Sequence, residues 1–495
     1  MKLSEVLAGA RLKTALSKRL GQTEIAGLEY DSRRVGPGFL FFAFPGAKAD
    51  GRKFAGEAMT RGAAAVASEQ PAPEEFGGPW IEVEHGRKAL ALASRNFYNR
   101  PDERLKLIGI TGTNGKTTTS YLVDAVLTAA GYTTALIGTI EYRLAGKVLE
   151  AVNTTPESLD LMRLFHALEQ QGGTHVTMEV SSHGLALGRV YGLRFHTAIF
   201  TNLTRDHLDF HGSMEHYFAA KQMLFTGAGA AAPSFAVVNR DDEYGRRLRL
   251  EPATRCFWYG LGAEPTVRAR NIRHDLQGLR FDAEGAGIRL AIESPLSGRI
   301  NVYNILAAVC AGLTLGIDPA TIARGVASCP VIPGRFERVD EGQPFLVVVD
   351  YAHTDDALRN TIAIARGLSP KRVITVFGCG GDRDRTKRPL MGQAAAELSD
   401  LAVLTSDNPR SEDPVAIMND VLVGIRRHDT PHLVEPDRAA AIERALRVAR
   451  AGDVVILAGK GHETYQVLKD RTIPFDDREV ARNVLRRFGY GAAKS

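Results

Sequence analysis

Short, nearly continuous apolar runs recur along most of the chain, each closed by a polar or glycine-containing loop, and they alternate with segments of helical periodicity. Runs at 105–110, 134–138, 175–180 and 197–201 have the pattern of strands buried on both faces of a parallel sheet. A helix is expected over 117–130, closed by Gly131. The same alternation returns at 345–350, 372–377, 401–405 and 453–458. Before residue 102 the pattern is smaller in scale. An apolar run at 39–44 precedes short strands at 63–67 and 80–83, placed around a helix. An amphipathic helix at 87–98 is ended by Asn99-Arg100-Pro101, because proline disfavours helix in the residue before it. Strands alternating with helices predict an α/β fold with mostly parallel sheets, divided at 1–101, 102–333 and 334–495.

The length fits three such units, since 495 residues at roughly 150 per domain give each its own core. A composition of 44% hydrophobic and 24% charged residues excludes a disordered or fibrous chain. The four cysteines, Cys256, Cys310, Cys329 and Cys379, form no C-x-x-C pair, which argues against a disulfide scaffold or a thiolate zinc site and suits a reducing cytoplasm. A net charge of +5 with no block of like charges gives no reason to expect nucleic acid as a partner. No apolar run approaches the roughly 18 residues of a membrane span, and the charged first twenty positions do not read as a secretory signal.

The chemistry begins at Thr111-Gly112-Thr113-Asn114-Gly115-Lys116-Thr117-Thr118, between a predicted strand and a predicted helix. Glycines there let backbone N–H groups approach phosphate, and the helix N-terminus adds partial positive charge. Lys116 would reach the terminal phosphates and Thr117 would offer a hydroxyl to Mg²⁺. The strict pattern places a further Gly at position 110, where this chain has Ile110. In the last third, four strands end in polar loops: Asp350-Tyr351-Ala352-His353, Gly378-Cys379-Gly380-Gly381-Asp382-Arg383, Asp407-Asn408-Pro409-Arg410 and Gly459-Lys460-Gly461-His462-Glu463. Ligands of such sheets bind at the carboxyl ends of the strands, so these loops form one candidate binding face.

Together with the phosphate loop, several further stretches occur in an order that resembles the Mur ligases over nearly the whole chain. They are Asn153-Thr154-Thr155-Pro156, Glu179-Val180-Ser181-Ser182-His183, Asn202-Leu203-Thr204-Arg205-Asp206-His207-Leu208-Asp209, Asn301-Val302-Tyr303-Asn304 and Pro333-Gly334-Arg335, besides the loops at 350–353 and 407–410. The resemblance implies a UDP-substrate-binding domain at 1–101, a central P-loop ATPase-type domain at 102–333 and a Rossmann-like amino-acid domain at 334–495. It is nearest to the members that add meso-diaminopimelate to UDP-N-acetylmuramoyl-L-alanyl-D-glutamate at the expense of ATP. In that reaction the D-glutamate carboxylate takes the γ-phosphoryl group of ATP, and the incoming amine then displaces phosphate from the acyl phosphate. Such transfer needs positioning and charge neutralisation more than a protein nucleophile.

By the same resemblance ATP would meet residues 112–118 with Asn304, Arg335 and His353, and Ser32, Asn153, Thr154, Thr155, Ser181 and Arg189 would contact the UDP-substrate. Leu187 stands where the family often has Gln. The stretch Ala47-Lys48-Ala49 departs from the His-Gln-Ala of some members, so no site is carried over there. Two Mg²⁺ ions are expected, held by Thr117, Glu179, His207 and a carbamate on Lys221, with Lys116, Lys221 and His207 as the catalytic set. CO₂ adds only to a neutral amine, so a buried lysine is a suitable target. His207 and His211 also stand four apart, a spacing that can suit zinc on a helix, although no third ligand is evident.

Diaminopimelate would meet Arg383, Asp407, Asn408, Pro409, Arg410, Gly459 and Glu463. The fork of Arg410 suits its far carboxylate, while Glu463 and the Gly459 carbonyl suit the far ammonium. Arg410 could instead cap a helix or pair with Glu412 or Asp413. Other readings are a lysine-adding version, a folylpolyglutamate-type ligase, or a nucleotide-sensing protein with a degenerate site. A cytoplasmic monomer is expected.

Overall fold

The computed structural model describes residues 1–46, 49–262, 264–275, 278–329 and 331–491; Ala47 and Lys48 therefore lie outside the described residues. Its strands gather into three large sheets and a small hairpin. The first sheet is four-stranded and parallel, β1 (Gly27–Glu29), β2 (Phe39–Phe42), β3 (Ala65–Ser68) and β4 (Trp80–Glu82), in sequence order. The expected helix between the strands at 63–67 and 80–83 is not there. Pro71, Pro73 and Pro79 with Gly77 and Gly78 keep 69–79 non-helical, and the helix Ala55–Thr60 precedes β3 instead. The helix Gly86–Phe97 is followed by Asn99 and Arg100, both at positive φ, and Pro101 starts a 3₁₀ turn.

The central sheet has eleven strands. In chain order they are β5 (Lys106–Thr111), β6 (Thr134–Ile137), β7 (Glu141–Leu144), β8 (Lys147–Glu150), β9 (His175–Glu179), β10 (Phe195–Phe200), β11 (Phe235–Asn239), β12 (Arg255–Gly260), β13 (Val267–Asp275), β14 (Gly278–Gly285) and β15 (Ile288–Ser294). Their spatial order is β15-β14-β13-β12-β11-β10-β5-β9-β6-β7-β8. Its middle, from β13 to β6, is parallel, and antiparallel strands finish both edges. β5 lies between β10 and β9, so the phosphate loop leaves the middle of the sheet. The helix Arg299–Thr314 packs on one face, with Val302, Ile305, Leu306 and Val309 wholly buried against Ile108, Ile110 and Leu122. The other face is covered in part by Met214–Thr226, which carries Lys221.

The third sheet runs β16 (Glu337–Val339), β17 (Leu346–Asp350), β18 (Val373–Phe377), β19 (Leu401–Leu404), β20 (His432–Val434) and β21 (Val454–Ala458), in the order β16-β17-β21-β18-β19-β20. Only β16 is antiparallel. The hairpin of β22 (Tyr465–Val467) and β23 (Thr472–Pro474) stands beside it. Among the described residues no helix is long and apolar enough to cross a membrane.

Helices Lys387–Leu398 and Pro414–Ile425 back the loops at 378–383 and 407–410, and they meet backbone to backbone. A Cβ on Gly424 would collide with the Pro389 carbonyl and lie 2.7 Å from the Gln393 nitrogen, and one on Gly392 would collide with the Val421 carbonyl. Alanine at 424 would gain helix propensity, about 1 kcal/mol, but would force the helices apart. We expect Gly424→Ala to destabilise this unit by about 1–3 kcal/mol in urea unfolding; a neutral or stabilising effect would refute the close crossing.

Candidate functional site

The phosphate loop is shaped by what lies beneath it. Gly112 has φ +148 and Gly115 φ +89; a Cβ would collide with Thr201 Oγ1 at the first and with Asn304 Oδ1 at the second. The loop is braced by the segment after β10. The Thr113 and Asn114 amides donate to the Asn202 carbonyl and its Oδ1, each at 2.9 Å, and Thr201 Oγ1 donates to the Asn114 carbonyl at 2.6 Å. Lys116 Nζ folds back onto the carbonyls of Gly112 (3.0 Å) and Thr113 (2.9 Å). Lys221, 1% exposed, donates to the same Gly112 carbonyl at 2.8 Å, with the Tyr217 ring 4.6 Å from its Nζ. Lys221 is therefore not an ordinary surface lysine. Burial lowers the pKa of Lys116; for Lys221 burial, and then the neighbouring Lys116, push it well below the usual lysine range.

Around this loop, Glu179 is buried at the end of β9, accepting from Thr139 N (2.9 Å) and Thr139 Oγ1 (3.0 Å). Thr117 Oγ1 accepts from Arg335 (3.1 Å), whose guanidinium stacks on Tyr351. Asn304 accepts from Thr119 Oγ1 and donates to Asn301, and His353 Nδ1 faces the Tyr351 carbonyl at 2.9 Å. These groups line one chamber with residues 113–118, Thr154 and Ser181.

A second chamber is lined by Arg383, Asp407, Asn408, Arg410, Gly459 and Glu463, with Lys387 and Asp384. The two chambers share Asp206, His207, Tyr351 and His353 as a common wall. Burial raises the Asp206 carboxyl, but His353 and His207, whose Nε2 atoms lie 3.8 and 3.3 Å from Asp206 Oδ2, outweigh it and hold Asp206 far below the carboxylate range. Burial drives His207 down to about 3, although its Nε2 lies 3.3 Å from Asp206 Oδ2. His207 stands at φ +54 just before the four-residue helix Leu208–His211, and His211 Nε2 is turned to Ser182 Oγ at 2.9 Å. The two histidines thus do not form an i, i+4 pair on one helix face, which removes the geometric basis of the zinc reading.

Arg410, at φ +53, donates to the carbonyls of Gly381 (2.7 Å) and Asn408 (3.5 Å) and makes no ion pair among the described residues. Its alternative partners are taken: Glu412 accepts from Arg388 (2.7 Å), and Asp413 caps the following helix through Val415 N (3.1 Å). Burial, then nearby Arg383, lower the Arg410 pKa, so the chamber presents a cation without a counter-charge in contact. Pro409 is not in the lining; its carbonyl closes against Gly381, where a Cβ would collide with it.

The UDP-substrate candidates are less united. Thr154 and Ser181 reach the first chamber's edge, and Thr155 Oγ1 donates to the Glu179 carbonyl at 2.9 Å. The Asn153 backbone is held by Tyr142 Oη. Arg189 donates to Glu157 (3.1 Å) and the Thr155 carbonyl (2.9 Å), and Leu187 ends the short helix beside it. Ser32 lines neither chamber and donates to Glu57 at 2.8 Å. Sequence reasoning gave no role to Asp206, Tyr351, Lys387 or Lys460, though all but Lys387 fall within stretches it singled out. Among the described residues no three His, Cys, Asp or Glu side chains form a ready-made metal cluster. The carboxylate and hydroxyl present beside the loop suit Mg²⁺, which keeps waters and phosphate oxygens among its ligands.

Comparison with known proteins identifies the family. Residues 24–98 match the Mur ligase family catalytic domain, 110–312 the Mur ligase middle domain and 334–461 the Mur ligase glutamate ligase domain. The chain is 69% identical over 490 residues, 99% of each protein, to the UDP-N-acetylmuramoyl-L-alanyl-D-glutamate--2,6-diaminopimelate ligase of Solibacter usitatus. It is 46% identical to the ligase of the same name from Geobacillus thermodenitrificans, over 98% of this chain and 99% of that one. A solved structure of a 2,6-diaminopimelate ligase of that name superposes with TM-score 0.69 at 32% identity, covering 99% of both chains. MurF from Acinetobacter baumannii shares the fold at 19% identity, with TM-score 0.67 over 92% of this chain and 95% of that one.

His462, packed 5.1 Å from the Tyr351 ring, is pushed down to about 3 by burial and by Arg335 and Arg478. The fold therefore prefers it neutral, while the unfolded chain takes up its proton near the ordinary 6.5. Its stabilising share is complete above that value, declines as pH falls from about 6.5 towards about 3, and does not decline further below. His462→Phe should flatten the fall of stability in this window, measured by urea unfolding at a series of pH values; an unchanged slope would contradict the assignment.

Proposed function

The chain belongs to the Mur ligase family, and from this membership and the two-chamber site we propose that it joins meso-2,6-diaminopimelate to the D-glutamate of UDP-N-acetylmuramoyl-L-alanyl-D-glutamate in peptidoglycan precursor synthesis, using ATP. The observation that carries the reading is the common wall between a chamber built on a phosphate loop and a chamber that holds Arg383 and Arg410 together with Asp407 and Glu463. A phosphorylated carboxyl group made in the first would lie within reach of an amine held in the second.

Residues 112–118 cradle the phosphates of ATP, with Asn304, Arg335 and His353 completing the nucleotide site. The substrate carboxylate attacks the γ-phosphorus, ADP leaves, and an acyl phosphate forms. The free amine of diaminopimelate then attacks its carbonyl carbon, loses a proton, and phosphate departs as the amide forms. Lys116 neutralises charge on the transferring group, and closure of the chambers excludes water. Thr117 and Glu179 would hold one Mg²⁺, and His207 with a carbamate on Lys221 a second; bound there, the ions would neutralise phosphate charge. Ser32, Asn153, Thr154, Thr155, Ser181 and Arg189 are assigned to the UDP-substrate, with functional units at 1–101, 102–333 and 334–495.

Arg410 and Arg383 take the carboxylates of diaminopimelate, and Glu463 with the Gly459 carbonyl takes the far ammonium. L-lysine lacks the carboxylate beside that ammonium, so it would leave Arg410 desolvated without a partner, at a cost of about 1–3 kcal/mol or more. An assay of ADP release with the UDP-dipeptide, ATP and a panel of amino acids should therefore show diaminopimelate preferred over L-lysine by about 10²-fold or more in kcat/KM, the preference collapsing in Arg410→Ala. Comparable kcat/KM for the two amino acids in the unmutated enzyme would contradict the proposal.

A further inference from the structure

Lys460 lies in the Gly459–Glu463 loop, yet it is 0% exposed and does not line the amino-acid chamber. Its Nζ donates to Asn408 Oδ1 and to Glu463 Oε2, each at 3.1 Å, and stands 4.0 Å from Asp407 Oδ1. Asn408 Nδ2 donates to the same Glu463 Oε2 at 2.9 Å. Both donors thus hold one oxygen of Glu463, while Oε1 has no hydrogen-bond partner among the described residues. The anchors continue outwards. Asn408 Oδ1 also accepts from Val467 N (2.9 Å), and Gln466 Nε2 donates to the Asp407 carbonyl (2.6 Å), so the β22–β23 hairpin is tied to the same group.

We propose that Lys460 is a positioning residue for amino-acid selection: it fixes the rotamer of Glu463 so that the unpartnered oxygen faces the chamber, and it supplies the buried positive charge that lets Asp407 and Glu463 stand side by side. The inference rests on the reading of this chamber as the diaminopimelate site. Without the ammonium, two neighbouring carboxylates would repel in a poorly hydrated site, and Glu463 would lose the donor that orients it. The acceptor for the ligand's far ammonium would then be present but misdirected. The basic half of the chamber, Arg383 and Arg410, would be untouched.

The test is steady-state kinetics of Lys460→Met, which keeps the length of the side chain and removes its charge and donors, with Lys460→Arg and Glu463→Gln as companions. In Lys460→Met, KM for diaminopimelate should rise about 10- to 100-fold, with kcat falling less than about threefold and KM for ATP and the UDP-dipeptide within about twofold of the parent. Lys460→Arg should recover part of the loss. In a double-mutant cycle, adding Lys460→Met to Glu463→Gln should cost much less than it does alone, because the group it positions is already altered. A folded Lys460→Met with unchanged KM for diaminopimelate, a loss shared by all three substrates, or additive effects in the cycle would each overturn the proposal. If Lys460→Met does not fold, the comparison of Lys460→Arg alone and on Glu463→Gln decides by the same coupling. Failure of the unmutated enzyme to use diaminopimelate would instead overturn the reading of the chamber.

Discussion

Two lysine amines converge on one backbone oxygen, the carbonyl of Gly112, and neither makes an ion pair among the described residues. Removing cations from water without an anion in contact is costly, and a second cation nearby makes each costlier. The cost is tolerated because the geometry around it is over-determined. Gly112 is seated on Thr201, the loop amides are satisfied by Asn202, and Lys221 is locked in a helix packed on the central sheet. The result is a site whose charges balance only when anions arrive. On the proposed reading, phosphates would answer Lys116, and CO₂ would answer Lys221 by a different route: a neutral Nζ would add to the carbon and release a proton, so that the amine would become an anion.

The same arrangement governs the second chamber. Arg383 and Arg410 there likewise make no ion pair among the described residues, while surrounding charges are neutralised among themselves: Arg388 by Glu412 and Asp420, Lys460 by Glu463, Arg438 by Asp477. On the proposed reading, selectivity would come from this contrast between satisfied walls and unpaired arginines, since a ligand lacking the matching charge leaves a buried group unpaired. The shared wall of Asp206, His207, Tyr351 and His353 joins the two economies of charge. A depressed Asp206 stays ionised there while His207 stays neutral, so the wall adds no cation to a region already rich in them.

The parallel strands were legible because strands buried on both faces read as continuous apolar runs, and the loops at their carboxyl ends follow from topology. The meander of β13 to β15 was not, since β13 is exposed from Arg270 onward and carries no continuous apolar run. The helix supposed to lie between the strands near 63–83 failed because prolines and glycines occupy the connection. Residue identity found Lys116, Glu179 and Arg410, but not their environments. Nothing in Tyr217-Phe218-Ala219-Ala220-Lys221 says that the lysine is buried, because that helix has no clear polar face. Nothing in Arg410-Ser411-Glu412-Asp413 says that both acids have other partners. Ile110 in place of glycine is explained by its position: it is buried within β5, and the tight approach falls at Gly112.

The account stands most directly on the state of Lys221. Carbon-13 NMR of the active enzyme in ¹³C-bicarbonate should show a carbamate resonance that is absent from Lys221→Ala and unaffected in Lys460→Met. An active enzyme that shows no such resonance, or one whose resonance persists after Lys221 is replaced, would contradict the central claim that this buried amine exists to be converted into an anion.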